Sequence, residues 1–252
     1  MARTRQRPHD KTTPGVIVSP GATSHALRLG FALLLGAVLC AGIASLFYEV
    51  LWVRQLGFSL GSTAIATSIM LSAFLGGLAI GSITMGRRAD TLRHPTRVFA
   101  TIELIAVAVG LASIPALSAA GHAYVFLAQN WGLTGGVALA MRALFSAVVM
   151  LIPAILFGMT FPLATSLAGS LVAVQTAAGS VSAVSSFGSA AGALMCGLWL
   201  EPALGITHAA LVAAGFNLLA GLLVFNIGLL LKQKQTNTGK ARSKTPAVEA
   251  EL

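Results

Sequence analysis

Charged side chains inside long apolar stretches are the residues of this 252-residue sequence that suggest chemistry. Glu49, Glu103 and Arg142 fall within runs rich in Ala, Leu, Val and Gly, and Arg54 falls at the edge of one. An ionisable group at the centre of a bilayer costs about 3 kcal/mol on insertion scales, so such groups usually face a partner or a water-filled cavity. Two interpretations follow: the four charges hold helices in register, or Glu49 and Glu103 bind a cationic substrate or relay protons.

The depths of these charges predict which of them pair. Glu49 lies four residues from the end of its apolar stretch and Arg142 about five residues inside the start of another, so we expect both at one depth. Glu103 lies about five residues inside its stretch, close in depth to Arg87 and Arg88. The first interpretation therefore predicts a Glu49–Arg142 pair and an ion pair between Glu103 and one of those arginines.

No other pattern in the sequence suggests a reaction. Cys40 and Cys196 both lie in apolar stretches, and the five histidines are too scattered for a zinc site. Phosphate-binding glycine motifs are missing, as is any pairing of a nucleophile with a base. Glu201 precedes Pro202 at a predicted helix end, where its carboxylate is expected to reach water. We therefore expect no catalytic residue, no metal and no cofactor.

Glycine spacing predicts how the helices pack. The sequence contains Gly77-Leu-Ala-Ile-Gly81 and Gly188-Ser-Ala-Ala-Gly192. In each segment two glycines four residues apart lie on one helix face, where a neighbouring backbone can approach closely.

The composition defines the class of protein that must position these residues. Hydrophobic residues make up 56% of the chain and charged residues only 9%, which is too few to coat a water-soluble domain. Aromatic residues make up 7% and glycines number 27, which favours close-packed helices over a barrel with aromatic girdles. We predict an all-α integral membrane bundle surrounded by lipid.

Six apolar stretches are long enough to cross a hydrocarbon core, which takes about 20 helical residues. Residues 161–176 could add a seventh span or an interfacial helix. The first stretch could instead be a signal peptide, but it is longer than such a segment's apolar region, so we favour an uncleaved helix. The predicted spans are 28–53, 58–85, 98–120, 137–160, 177–200 and 206–231.

Basic residues predict the orientation of the bundle. The net charge of +9 alone would suggest a nucleic-acid partner. However, residues 1–28 and the C-terminal tail hold five Lys or Arg each and loop 86–97 holds four, all on one side of a six-span model. Both termini are therefore predicted in the cytoplasm, with no role in nucleic-acid binding. The domains predicted are disordered tails at 1–25 and 232–252, and one membrane domain at 26–231.

The loop between the second and third spans resembles the gating loop between helices 2 and 3 of major facilitator transporters. That loop has a glycine, a nearby aspartate and downstream basic residues. The corresponding gating-like residues here are Gly86, Arg87, Arg88, Asp90 and Arg93. The resemblance implies a bundle of half-facilitator size.

A larger set of segments resembles, in the same order, the membrane portion of multi-span spermidine synthase-like proteins. In those proteins a facilitator-like bundle is often fused to a soluble aminopropyltransferase domain. After the last predicted span only about 20 polar residues remain, too few for such a domain, so we expect this chain to lack it. The resemblance also implies a bacterial inner membrane. The matching segments, across roughly residues 30–228, are 47–54, 73–82, the arginine loop with Asp90, Glu103, 158–163 and 188–205.

These observations lead to a hypothesis of a non-enzymatic membrane protein. It would be a permease for a small, polyamine-like solute, or the membrane partner of a separately encoded soluble synthase-like enzyme. A homodimer would supply the second half that facilitator transport requires. The alternative is a scaffold that docks another membrane protein through its glycine-rich helix faces. A membrane-embedded enzyme ranks third.

Overall fold

The computed structural model describes residues 23–60, 63–132 and 135–243, and within these ranges the chain is helical with no strand. This confirms the predicted all-α fold. A short 3-10 turn, Ala89–Thr91, separates the second and third helices, and a π-helical turn, Cys196–Leu200, follows the fifth. The α-helices are α1 (Thr23–Leu60), α2 (Thr63–Gly86), α3 (Pro95–Trp131), α4 (Gly135–Gly169), α5 (Val174–Met195) and α6 (Glu201–Ser243).

Several of these helices are apolar and long enough to cross a membrane. Within the described residues there are five such stretches, the last being Val174–Leu230 with 57 residues. That stretch combines α5 with much of α6, and a straight helix of its length would far exceed a ~30 Å hydrocarbon core. Large apolar side chains such as Leu104 and Phe225 are exposed on the outside of the bundle, as expected for contact with lipid.

Three segments differ from the predicted boundaries. Residues 161–176 do not form a helix of their own, because α4 continues through Pro153 and Pro162 to Gly169 before a short turn leads into α5. In the predicted C-terminal tail, residues 232–243 are described as the continuation of α6. Residues 23–25, assigned to the N-terminal tail, begin α1. The rest of the two predicted tails, 1–22 and 244–252, lies outside the described residues, and the domain boundaries stay a prediction.

Glycines allow α2 and α4 to pack backbone against backbone. A Cβ atom added at Gly77 would lie 2.5 Å from the Cβ of Ala154, and one added at Gly81 would overlap the carbonyl oxygen of Ile155. The Ser82 hydroxyl donates a hydrogen bond of 2.9 Å to the carbonyl of Gly158 on α4. These contacts leave no space for a side chain at either glycine of the α2 pair.

The second glycine pair brings α5 against α1 in the same way. Added Cβ atoms at Gly188 and Gly192 would lie 2.5 Å from the carbonyl oxygens of Leu39 and Ile43 respectively. Gly42 on α1 makes an equally close contact with α5, since a Cβ there would lie 2.8 Å from the Ser185 carbonyl oxygen. Both glycine pairs therefore contact neighbours inside this chain.

An aromatic cluster fills the space between the helices near the last turns of α1. Tyr48 stacks on Trp52 and on Phe157 of α4, each with a ring-centroid distance of 5.9 Å. The buried Trp52 indole N–H donates a 2.8 Å hydrogen bond to the Ser113 hydroxyl of α3. The hydrogen bond satisfies a polar group that would otherwise be buried without a partner. This cluster fixes the end of α1 that carries Glu49 and Arg54.

Candidate functional site

A cavity of about 700 Å³, open to the outside of the bundle where Phe58 and Leu71 are exposed, lies beside the last turns of α1 and the first turns of α2. The α1 residues along it include Leu46, Glu49, Val53 and Arg54, while Met70 belongs to α2. The wall is mostly apolar, with Glu49 and Arg54 as its charged residues. Ligand pockets in proteins have volumes of about 300–1,000 Å³ and combine apolar walls with a few polar groups, and this cavity fits that description.

Glu49 is half-buried in the wall of this cavity. Among the residues whose side chains the structure describes, no Lys, Arg or His forms an ion pair with it. Its predicted partner Arg142 lies on α4, but the Arg142 side chain is outside the described part of the structure. The Glu49–Arg142 pair therefore stays a prediction.

Arg54 forms an ion pair that the sequence did not predict. Its Nε donates to Oε1 of Glu201 across 2.8 Å, with the Arg54 side chain 50% exposed and that of Glu201 only 7% exposed. The expectation that the Glu201 carboxylate would reach water is therefore wrong. The predicted orientation did contain a signal, since it placed Arg54 and Glu201 on the same side of the membrane.

The connection between α5 and α6 brings Glu201 to this position. The π-helical turn Cys196–Leu200 immediately precedes Glu201, and Gly205 with φ 76° and ψ 170° interrupts α6 four residues later. π-helical turns inside α-helices are rare and are frequent at functional sites. Cys196 is the first residue of this π-helical turn. Its thiol lies 3.7 Å from the carbonyl oxygen of Phe47, and this contact connects the turn to α1.

A second, smaller cavity of about 250 Å³ lies between α1, α2, α4 and α5, with Phe99 of α3 also in its wall. Leu46 contributes to the walls of both cavities. Hydroxyl groups line the smaller cavity among apolar residues, so it offers hydrogen-bonding groups without a charge. Those hydroxyl-bearing residues are Ser45, Ser82, Thr160, Ser185 and Ser189.

Glu103 lies away from both cavities. Its side chain is fully buried, and neither carboxylate oxygen has a hydrogen-bond partner. The ion pair expected between Glu103 and Arg87 or Arg88 is absent, because both arginines are exposed in the loop beyond α2. Asn217 on α6 is also buried without a hydrogen-bond partner, and the signal that could have identified it is an amide within an otherwise apolar run.

The gating-like loop attaches to α4 through its aspartate. The Ser166 hydroxyl donates a 2.7 Å hydrogen bond to Oδ1 of Asp90. Gly86, Arg88 and Arg93 are exposed. This hydrogen bond holds Asp90 of the loop against α4. The gating role of the loop stays a prediction.

Metal ligands do not gather anywhere in the described residues, where no group of three or more His, Cys, Asp or Glu side chains could hold an ion. The two cysteines are free and buried.

Comparison with known proteins gives one distant relationship. No family model matches the chain, and no solved structure matches it. The chain is 30% identical over 210 residues to polyamine aminopropyltransferase 1 of Streptomyces coelicolor, a match that covers 82% of this chain. It spans only 36% of the length of that protein.

This relationship corrects one expectation and supports another. The expectation that the chain is not an enzyme is wrong by this comparison, because the relative carries the name of an enzyme. The predicted relation to polyamine synthesis is supported at the level of distant similarity, whereas the comparison gives no support to a transporter. The match does not test whether the chain is the membrane portion of such a protein.

Proposed function

We propose that this chain is the membrane-embedded part of a polyamine aminopropyltransferase and that its bundle binds an aliphatic amine. The distant similarity to an aminopropyltransferase and the apolar helices support the first part. The second part rests on one observation: Glu49 is the acidic residue in the wall of an otherwise largely apolar cavity of about 700 Å³.

The chemistry of the cavity matches that of an aliphatic amine. Apolar residues such as Val53 and Met70 would contact the methylene groups, and the Glu49 carboxylate would accept hydrogen bonds from a protonated amine. Arg54 also borders the cavity and would repel a cation, but its charge is offset by Glu201 at 2.8 Å. The ion pair therefore leaves Glu49 as the charge that selects the ligand.

The bundle could use a bound amine in two ways. In the first, it holds the amine for an aminopropyl-transferring domain on the same or a separate chain. In the second, it passes the amine across the membrane as a permease. The smaller cavity favours the second, because Leu46 borders both cavities and the smaller one has hydroxyl groups in its wall.

The scaffold alternative loses its proposed docking surface. Gly77 and Gly81 contact α4, and Gly188 and Gly192 contact α1, so these faces are filled within the chain. A scaffold would have to use a different surface.

The proposed membrane arrangement has six crossings with both termini in the cytoplasm of a bacterium and the bundle in its inner membrane. Gly205, where α6 departs from helical geometry, would separate the fifth crossing from the sixth. A second copy of the chain could supply the other half of a facilitator-like pair, and it would cover the side on which α1, α2, α4 and α5 form the smaller cavity.

Equilibrium binding of radiolabelled spermidine to the purified full chain tests this proposal. Glu49→Gln should weaken binding by about 10- to 100-fold, since a hydrogen bond to a charged group contributes about 1.5–3 kcal/mol. Asp90→Asn makes the same carboxylate-to-amide change in the exposed loop and should leave binding unchanged. Equal affinity for the wild type and Glu49→Gln would contradict the proposal.

Spermidine flux into proteoliposomes separates the two uses of the amine. Flux that Glu49→Gln removes would support passage across the membrane. Binding without flux would support a holding role beside an aminopropyl-transferring domain.

A further inference from the structure

The α3–α6 interface contains an isolated buried acid. Glu103 is 0% exposed, and neither of its carboxylate oxygens has a hydrogen-bond partner. On the facing helix, a Cβ added at Gly221 would lie 3.3 Å from the Glu103 Cβ, so the glycine provides the space that Glu103 occupies. The side chain is enclosed by protein and does not line either cavity described above.

Among the side chains that the structure describes, the helices packed against α3 bring no positive charge to this acid. On α1, Cys40 is a free, buried thiol and carries no positive charge. The sequence of α4 contains Arg142 as its charged residue, near the opposite end of that helix, and α6 has no charged residue between Ala209 and Leu230. Among the described side chains, no basic group lies within ion-pair distance of Glu103.

A second unpartnered polar side chain, that of Asn217, lies on α6 one helical turn before Gly221. Asn217 is 0% exposed, neither atom of its amide group has a hydrogen-bond partner, and it precedes Gly221 by four residues on α6. Asn217, Gly221 and Ala100 border a cavity of about 170 Å³ between α3 and α6. The cavity is otherwise lined by apolar residues, among them Leu104 and Phe225 on the outside of the bundle, so Asn217 is its polar side chain.

A carboxylate anion in this position would be buried without a counter-ion, and buried groups of this kind take up a proton instead. We infer that Glu103 is a proton-binding site inside the bundle, which holds the side chain as a neutral carboxylic acid beside the Asn217 cavity. The ligand is a proton, and the site is separate from the amine cavity at Glu49. The inference holds whether or not Glu49 binds an amine.

Infrared spectroscopy of the purified full chain in lipid nanodiscs at neutral pH tests this site. The wild type should show the carbonyl-stretching band of a protonated carboxylic acid, and labelling glutamate with ¹³C should shift that band. Glu103→Gln should remove it, whereas the matched carboxylate-to-amide variants Glu49→Gln and Glu201→Gln should retain it. If Glu103→Gln does not fold, retention of the labelled band in both other variants and in a Glu249→Gln/Glu251→Gln double variant still supports Glu103 by elimination among the five glutamates.

Two results would overturn the inference. One is a folded wild type without a protonated-acid band, which would mean that Glu103 is ionised and carries another cation. The other is a band that disappears in Glu49→Gln or Glu201→Gln, or that persists in a folded Glu103→Gln protein.

Discussion

At the scale of single residues, the ion pair between Arg54 and Glu201 connects the end of α1 to the start of α6. Because Arg54 is half exposed, solvent screens the pair and its coupling should be about 1 kcal/mol. Arg54→Gln and Glu201→Gln should each lower the thermal unfolding temperature in detergent. The double variant should lose less stability than the sum of the two, and strict additivity would show that the pair contributes nothing.

The sequence identified three charged residues of the bundle but not what surrounds their side chains. Glu49, Glu103 and Arg54 stood out because a charge in an apolar run is rare in lipid. The surroundings of these side chains could not be derived, since residue spacing gives the depth of a side chain but not the direction in which its helix faces. The pairing of Arg54 with Glu201 also depends on the π-helical turn at 196–200, for which the sequence contains no recognisable signal.

At the scale of helices, neighbouring glycines on α2 provide a matched test of packing. A Cβ at Gly77 would lie 2.5 Å from Ala154, whereas one at Gly76 would meet no atom within 4 Å. Gly77→Ala should therefore destabilise the protein by about 1–3 kcal/mol. Gly76→Ala should be neutral or slightly stabilising, because alanine is the better helix former. The unfolding temperatures of the two variants test this difference, and equal stability of Gly77→Ala and Gly76→Ala would contradict the close α2–α4 contact.

The break in α6 depends on a backbone conformation that favours glycine. Gly205 has φ 76° and ψ 170°, a combination that costs other residues about 1–3 kcal/mol. A Cβ there would meet no atom within 4 Å, so the loss of stability expected for Gly205→Ala comes from the backbone alone. Gly215→Ala also enters open space on α6 but should not destabilise. An unfolding temperature for Gly205→Ala equal to that of Gly215→Ala would contradict a fixed break at this position.

Helix positions were more predictable than helix ends. Apolar runs located the long helices within the described residues, because a membrane-spanning helix is apolar both where it faces lipid and where it packs on its neighbours. The ends were less predictable: residues 161–176 were a candidate for a seventh span or an interfacial helix, yet α4 continues through Pro153 and Pro162 to Gly169. Neighbouring helices can compensate for the hydrogen bonds that proline removes, and this compensation depends on tertiary packing that local sequence does not contain.

At the scale of the whole molecule, the cavity beside Glu49 is formed where α1, α2 and α5 meet. No single helix determines it, which is why the sequence identified the acid but not the space around it. The α1–α5 contact through Gly188 and Gly192 and the α2–α4 contact through Gly77 and Gly81 set the spacing of these helices. The cavity is therefore a consequence of the packing of the bundle.

Protection of a cysteine placed in the cavity wall tests the proposed amine site most directly. In a background with Cys40 and Cys196 replaced by alanine, Val53→Cys places a thiol beside Glu49, and Thr91→Cys places one in the exposed loop as the control. Spermidine at about ten times its dissociation constant should slow maleimide labelling at position 53 by about tenfold, since only the free protein reacts. Labelling at position 91 should not change. Equal labelling rates at position 53 with and without spermidine would contradict amine binding in this cavity.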